Sequence, residues 1–194
     1  MKDLDFDPKR KAILESAYAA FSTYGFRKTS MDDIAKGAQM SRPAVYLHYK
    51  NKEAIFRCLV ELYYVGAATD VRAVLNEEGD VPGILSRAFV AQGSDTAEAM
   101  MSSPHGMELL DAGTSVASEE VSAGEANLRA IYAEWLGREA DAGKLNLVGQ
   151  TPEAVAAGFC AALKGVKMTA PDFPTYSATI QVLAQLFGTG LSRR

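Results

Sequence analysis

Polar and aromatic side chains alternate with apolar ones in the segment SRPAVYLHY, which runs from Ser41 to Tyr49. Val45 and Tyr49 are four residues apart, so they share one face of a helix, which we expect to pack on the preceding elements. The opposite face carries a hydroxyl, a guanidinium, a small apolar group, a phenol and an imidazole, from Ser41, Arg42, Ala44, Tyr46 and His48. Groups of this kind read base edges and bind phosphates, so they indicate DNA recognition. Composition alone favours an ordinary surface helix, and the neighbouring segments decide between the two interpretations.

Those neighbouring segments predict a helix-turn-helix. Ser30 is an N-cap residue for a helix that begins at Met31, and two aspartates follow in its first turn, where the helix dipole favours negative charge. Ser41 is a second N-cap, and Pro43 is tolerated just inside the new helix because first-turn N–H groups have no partner there. Two short helices joined by three or four residues form this motif, and its second helix lies in the major groove. Asn51 is the expected N-cap of the helix that follows.

Three segments resemble the N-terminal DNA-binding domain of the TetR family of bacterial transcriptional regulators: AYAAFSTYG (17–25), TSMDDIAKGA (29–38) and SRPAVYLHYKNKEAIF (41–56). Beyond the last segment only the length and the helical content fit the family. The sequence departs at Gln39, where the family's turn usually has Gly, and Gln is costlier in a left-handed conformation. We expect DNA contacts from Lys28, Thr29, Ser30, Ser41, Arg42, Pro43, Ala44, Tyr46, His48, Lys50 and Lys52.

The charge is distributed unevenly along the chain. The net formal charge is −4, but residues 1–57 hold 11 Lys and Arg against 7 Asp and Glu, whereas residues 58–194 hold 9 against 17. A cationic N-terminal part can meet phosphates while the acidic remainder stays off the DNA. The N-terminal residues lack the apolar stretch of a signal peptide, and no apolar run reaches the ~18 residues of a membrane span. We therefore expect a cytoplasmic protein that does not enter a membrane.

Helical periodicity predicts an all-α fold of about nine helices. A first helix is expected over Pro8–Tyr24, and a long helix is expected from Asn51 to about Glu78. The long helix links two expected domains. Residues 1–52 form the DNA-binding domain, and residues 53–194 form the domain for ligand binding and dimerisation. A further helix follows Pro82, and Ala97–Met101 either extends it or forms a separate short helix. The remaining predicted helical segments are His105–Leu110 (a short helix or a turn), Ser118–Gly143, Pro152–Thr169 and Thr175–Ser192.

The last two predicted helices are candidates for a dimer interface. The first of them is rich in small residues, and the second carries an apolar stripe, so a helical hairpin can pair with its symmetry copy in a four-helix bundle. The resemblance implies the same, because TetR-like proteins dimerise through their two final major helices. The alternative is that both stripes serve the monomer's own core. The residues expected at the interface are Ala157, Ala161, Ile180, Leu183 and Phe187.

The interior of the second domain is rich in aromatic residues and Met. Met adapts to irregular space, and apolar pockets between helices are common ligand sites. The resemblance implies a pocket for a small-molecule effector in this domain, although such a set of residues also suits a plain core. The expected ligand residues are Tyr63, Phe89, Met101, His105, Tyr132 and Trp135.

Enzymatic motifs are missing from the sequence. It has no G-x-S-x-G, no phosphate-binding Gly loop and no H-E-x-x-H. Cys58 and Cys160 lie far apart without metal-ligand spacing, so we expect buried reduced thiols, no metal and no cofactor. The expected function is a ligand-responsive transcriptional regulator that binds a palindromic DNA operator as a homodimer and is released by an effector. That it represses transcription is what the resemblance to the TetR family implies. The alternatives are a helical small-molecule-binding protein without specific DNA readout, and an enzyme with an unrecognised helical active site.

Overall fold

Ten α-helices and no strand form over residues 7–192, the part of the chain that this computed structural model describes. They are α1 (Pro8–Tyr24), α2 (Met31–Gly37), α3 (Arg42–Tyr46), α4 (Lys52–Val74), α5 (Val81–Ala91), α6 (Ser94–Ser102), α7 (Gly106–Val116), α8 (Ser118–Asp141), α9 (Pro152–Thr169) and α10 (Phe173–Leu191). The predicted all-α class is confirmed. The number exceeds the expected nine because the segment after Gly93 forms a separate helix, α6, rather than extending α5.

The helices begin where local side chains cap them. Ser30 and Asp33 form a capping box: the Asp33 N–H donates to Ser30 Oγ at 3.2 Å, and the Ser30 N–H donates to Asp33 Oδ2 at 2.9 Å. The Ser30 hydroxyl and backbone N–H together lower the pKa of Asp33. Ser41 Oγ accepts from Ala44 N at 3.3 Å, and Asn51 Oδ1 accepts from Ala54 N at 2.9 Å. Each of these caps supplies an acceptor for a first-turn N–H that has no partner within its helix.

The chain packs as two compact units. One comprises the chain up to Gly66 together with Ala99–Ser122, and the other comprises Ala67–Glu98 together with the chain from Ala123 onward. We call them the first unit and the second unit. The domain boundary after residue 52 that we expect from the sequence stays a prediction.

The core of the first unit joins α1, α2 and α3 to the start of α4. Ile13, Leu14, Ile34 and Val45 are completely buried in it. An aromatic cluster closes one side, where the rings of Phe21, Phe26 and Phe56 lie 5.0 to 5.7 Å apart between centroids. These contacts bury apolar surface and so stabilise α2 and α3, which are too short to be stable alone.

Gly25 ends α1 in a left-handed conformation with φ +82°. Glu108 of α7 occupies the space into which a Cβ at this position would project. The Glu108 carboxylate accepts from the Arg27 N–H at 2.8 Å, and this contact lowers the pKa of Glu108. Gly25 therefore both ends α1 and makes room for a carboxylate that holds the turn after this helix.

The second unit is built on α5, α9, α10 and most of α8. The rings of Phe89, Tyr132, Phe159 and Phe187 pack mainly edge to face, with centroid separations of 4.9 to 6.4 Å. Helix α10 packs chiefly along α5, where Gly188 leaves no space for a side chain beside Pro82. Among residues 7–192, no helix combines the length and the apolar character that a membrane crossing requires.

Candidate nucleic-acid interface

Helix α3 is anchored by its inner face. Val45 is fully buried and Tyr49, just beyond the helix, is 6% exposed. The Tyr49 hydroxyl accepts from Arg10 Nε at 3.3 Å and donates to Cys58 Sγ at 3.6 Å, so it connects α1 to α4 beneath α3. Burial raises the pKa of Tyr49, so its hydroxyl remains protonated at neutral pH. The expected inner face of this helix is therefore the one that packs.

The outer face of α3 presents Arg42 and Tyr46 together. Tyr46 is 42% exposed, and its hydroxyl accepts from Arg42 Nη2 at 3.3 Å. The Arg42 guanidinium lies 5.5 Å from the centroid of the Tyr46 ring, and its Nη1 lies 3.2 Å from Asp32 Oδ2. The Tyr46 hydroxyl, followed by the Asp32 carboxylate, raises the pKa of Arg42. The charged Arg42 guanidinium thus lies at the protein surface between the Tyr46 hydroxyl and the Asp32 carboxylate.

The turn between α2 and α3 passes through Gln39 in a left-handed conformation, with φ +55°. The N–H of Met40 donates to the Ala35 carbonyl at 2.9 Å, which closes the turn. The backbone at Gln39 thus has the left-handed geometry for which Gly is best suited. The turn has the shape that the motif requires, although the residue is not the usual one.

Several of the residues expected to contact DNA also have structural roles. Thr29 is 2% exposed, and its hydroxyl donates to the Gly25 carbonyl at 2.7 Å. Ser30 and Ser41 cap α2 and α3. The Lys52 ammonium donates to the carbonyls of Phe26, Arg27 and Thr29 at 2.8, 2.9 and 2.9 Å. Because three carbonyls receive the three N–H groups of this ammonium, Lys52 positions the loop before α2.

The other expected DNA contacts lie at or near the surface. Lys28, Pro43 and Lys50 are exposed, whereas Ala44 and His48 are half-buried. His48 Nδ1 lies 3.8 Å from Asp7 Oδ2. Lys28 also lines a recess of about 350 Å³ in the first unit; the other residues of its lining are Thr23, Tyr24, Asp33 and His105.

Two residues of this surface are absent from the sequence-based list. Leu47 is 86% exposed beside Tyr46, and Asp32 makes the ion pair with Arg42 described above. The exposure of Leu47 follows from helical spacing, since it lies between the buried positions 45 and 49. The role of Asp32 cannot be predicted from helical spacing, because its ion pair with Arg42 joins residues ten apart across a turn.

The residues expected to bind a ligand are divided equally between the units. Phe89, Tyr132 and Trp135 are buried in the second unit, where the Tyr132 hydroxyl donates to Gln92 Oε1 at 3.0 Å. Tyr63, Met101 and His105 are half-buried in the first unit. His105 Nδ1 lies 3.4 Å from Glu108 Oε2.

The residues expected at a dimer interface fall on two different faces. Ala157 and Ala161 are exposed on α9, but Ile180 is completely buried and Leu183 is half-buried. Phe187 is half-buried and its ring contacts Phe159 at 4.9 Å between centroids. The apolar residues that α10 does expose are Val182 and Leu186, at 56% and 65%. Within the described residues, no group of three or more His, Cys, Asp and Glu side chains is placed to hold a metal ion.

Two capped helices joined through a left-handed residue, with the second anchored on its inner face and charged on its outer face, define a helix-turn-helix protein. Residues 13–59 match the family model described as "Bacterial regulatory proteins, tetR family". The predicted resemblance to the TetR family is therefore confirmed for the N-terminal part of the chain.

Curated transcriptional regulators are similar to part of the chain. The HTH-type transcriptional regulator EthR of Mycolicibacterium smegmatis is 40% identical over 55 residues, which are 28% of this chain and 25% of EthR. The biofilm operon icaADBC negative transcriptional regulator IcaR of Staphylococcus epidermidis is 41% identical over 49 residues, which are 25% of this chain and 26% of IcaR. The chain thus matches only about a quarter of the length of these relatives.

The fold as a whole resembles that of solved regulators. SmeT, the repressor of the Stenotrophomonas maltophilia multidrug efflux pump SmeDEF, has a TM-score of 0.71 at 20% identity, over 96% of this chain and 93% of SmeT. At that identity the likeness establishes the fold, and the function needs its own argument.

Proposed function

We propose that this protein is a transcriptional repressor that binds a palindromic DNA operator as a homodimer and is released by a small-molecule effector. The observation that carries the proposal is the pair Arg42 and Tyr46 on the outer face of a helix whose inner face is anchored by Val45 and Tyr49. The relatives support it, since EthR and IcaR are transcriptional regulators and SmeT is a repressor. Such a protein works in the cytoplasm, where bacterial DNA lies.

In the proposed complex, α3 enters the major groove. Arg42 and Tyr46 meet base edges, and Leu47 offers an apolar surface to a thymine methyl group. Lys28 and Lys50 are exposed and contact phosphates, and the positive balance of residues 1–57 adds a general attraction to DNA. In this proposal residues 1–52 bind DNA, while 53–194 bind the effector and form the dimer.

The dimer interface that we propose is the exposed face shared by α9 and α10. It combines the small residues Ala157 and Ala161 with Val182 and Leu186. Added side chains at Gly158, Gly165 and Gly190 would meet no other atom within 4 Å, so this face is open. An exposed apolar face next to small residues lets a partner helix approach closely, and a second copy would pair with it in a four-helix bundle. Ile180 belongs to the monomer core in this proposal.

The proposed effector is a small apolar molecule that binds among the aromatic residues of the second unit. Phe89 and Tyr132 are in ring contact there, and the Tyr132 hydroxyl and Gln92 supply a polar pair that can orient a ligand. SmeT, which shares the fold, has been solved as a complex with triclosan. The effector acts by preferring a conformation in which the two copies of α3 no longer match the spacing of the half-sites.

A gel-shift titration tests the proposal. Random fragments of bacterial DNA are titrated with the wild-type protein, and the retained fragment is then titrated with the Tyr46→Ala variant. We expect the variant to lose more than ~1 kcal/mol of binding free energy, the scale of one good contact. Tyr18→Ala is the matched control, because Tyr18 is 46% exposed on α1.

Unchanged affinity of the Tyr46 variant, with intact folding, would contradict the assignment of Tyr46 as a DNA contact. Effector binding without any retained fragment would favour the small-molecule-binding alternative.

A further inference from the structure

We propose that Asp32 is a positioning residue that sets sequence specificity, because it holds Arg42 in the orientation that reads a guanine of each half-site. This inference rests on the proposed DNA-binding function. It adds one expected base and the residue that enforces its recognition.

The ion pair between Asp32 and Arg42 lies at the surface and is not part of the hydrophobic core. Arg42 Nη1 and Asp32 Oδ2 are 3.2 Å apart, and their side chains are 55% and 57% exposed. Exposed pairs of this kind contribute little to stability. This pair connects the first turn of α2 to the first turn of α3, so what it restricts is the direction of the guanidinium.

The guanidinium keeps enough free donors for a base. Arg has five N–H donors in a planar fork. One is directed at Asp32 and one at the Tyr46 hydroxyl, so three remain. Recognition of guanine needs two of them, for O6 and N7, and a bidentate Arg is the commonest specific contact to this base. The Tyr46 ring, 5.5 Å from the guanidinium carbon, restricts the fork further.

A prearranged fork lowers the cost of binding. An unsupported Arg side chain loses rotamer freedom when it docks, and this loss opposes binding. The contacts with Asp32 and Tyr46 favour this orientation of Arg42 in the free protein, so less rotamer freedom is lost on binding. A guanidinium fixed in this way also has fewer ways to contact an incorrect base or a phosphate.

The charge of Asp32 also has an unfavourable effect on DNA binding, opposite to the benefit of orienting Arg42. A carboxylate beside the DNA-reading helix repels phosphates and so weakens binding to any sequence. Removing the charge should therefore strengthen non-specific binding while it relaxes the preference for guanine. A role for Asp32 limited to the dipole of α2 would alter stability and leave base preference unchanged.

The test uses the full-length protein and fluorescence anisotropy at one fixed salt concentration. The probes are an operator selected from random DNA, the same operator with each guanine replaced in turn, and a scrambled duplex. Arg42→Ala first identifies the guanine whose replacement no longer matters in that variant. Wild type and Asp32→Asn are then compared at this position. Glu61→Gln is the charge-matched control, because Glu61 is exposed within α4.

We expect wild type to prefer the identified guanine by about 5- to 150-fold, the range of one good bidentate contact. Asp32→Asn should reduce that preference at least threefold and bind the scrambled duplex more tightly, and Glu61→Gln should leave the preference unchanged. Full retention of the preference in Asp32→Asn, or the absence of any guanine linked to Arg42, would overturn the inference while leaving the DNA-binding function intact. Failure to select any operator would instead reject the proposed function, and the inference with it.

Discussion

The ammonium group of Lys52 donates a 2.8 Å hydrogen bond to the backbone carbonyl of Phe26. It makes two further bonds to carbonyls of the same loop and lies 4.8 Å from the centroid of the Phe26 ring. One cation therefore ties the start of α4 to the segment that leads into the helix-turn-helix. This contact joins two parts of the first unit that are more than twenty residues apart in sequence.

Replacement of Lys52 by Met should destabilise the protein by about 2 kcal/mol, because it removes hydrogen bonds from a charged donor and leaves three carbonyls without it. Lys50→Met is the control, since Lys50 is exposed. Urea unfolding of both variants measures the free energy of unfolding. Unchanged stability of the Lys52 variant, combined with weaker and less salt-dependent DNA binding, would instead support the phosphate contact expected from the sequence.

The left-handed Gln39 provides a second test of stability. Gly adopts this conformation without strain, so Gln39→Gly should raise the free energy of unfolding by about 0.5–1 kcal/mol despite the greater freedom of Gly in the unfolded chain. Gln39→Val should lower it, because a β-branched residue is strained at positive φ. Thermal denaturation distinguishes the two variants. A Gly variant less stable than wild type would show that the Gln39 side chain makes a contribution larger than the strain.

The proposed dimer face can be tested with a buried charge. Leu186→Glu should convert dimers to monomers, because a carboxylate would be buried at an apolar interface. Val90→Glu is the matched control in the second unit, where Val90 is 39% exposed. Sedimentation velocity reports the mass of each variant, and circular dichroism reports its helicity. If Leu186→Glu stays dimeric, the interface lies on another surface.

The thiol of Cys160 should be unreactive in the folded protein. Burial raises the pKa of Cys160 from 9.0 to about 11, against a smaller opposing effect of Arg129. In a Cys58→Ala background, alkylation by iodoacetamide at pH 8 should be about a hundredfold slower in the folded than in the unfolded chain, since only the thiolate reacts. The raised pKa also means that the contribution of this thiol to stability is complete below about pH 9 and is lost as the pH rises towards 11. Similar alkylation rates in the two states would show that the thiol is exposed.

Local signals in the sequence predict most of the helices and three of their N-caps. Ser30, Ser41 and Asn51 were identifiable as N-caps because a cap depends only on the next few residues. The bounds of α1 and α9 agree with the expected ranges for the same reason. The end of α4 is less well determined by nearby residues. This helix ends at Val74, four residues before the expected position.

Contacts between residues distant in sequence explain where the structure differs from the sequence-based predictions. Helix α10 is apolar on more than one face, so spacing alone did not show that Ile180 packs inward while Val182 and Leu186 lie outside. The charge of Lys52 predicts a phosphate contact, because charge can be read from a single residue. Its carbonyl partners lie more than twenty residues away and can be identified only from the fold. The Asp32–Arg42 pair likewise requires the turn geometry to be known first.

Selection of DNA from a random pool is the measurement that tests the central claim most directly. Wild-type protein is incubated with random duplexes, bound DNA is amplified over several rounds, and the enriched sequences are compared. The account predicts a palindrome whose half-sites lie about one helical turn, or a small multiple of it, apart, because a two-fold symmetric dimer presents two copies of α3. A pool that remains random, or an enriched sequence without two-fold symmetry, would contradict it.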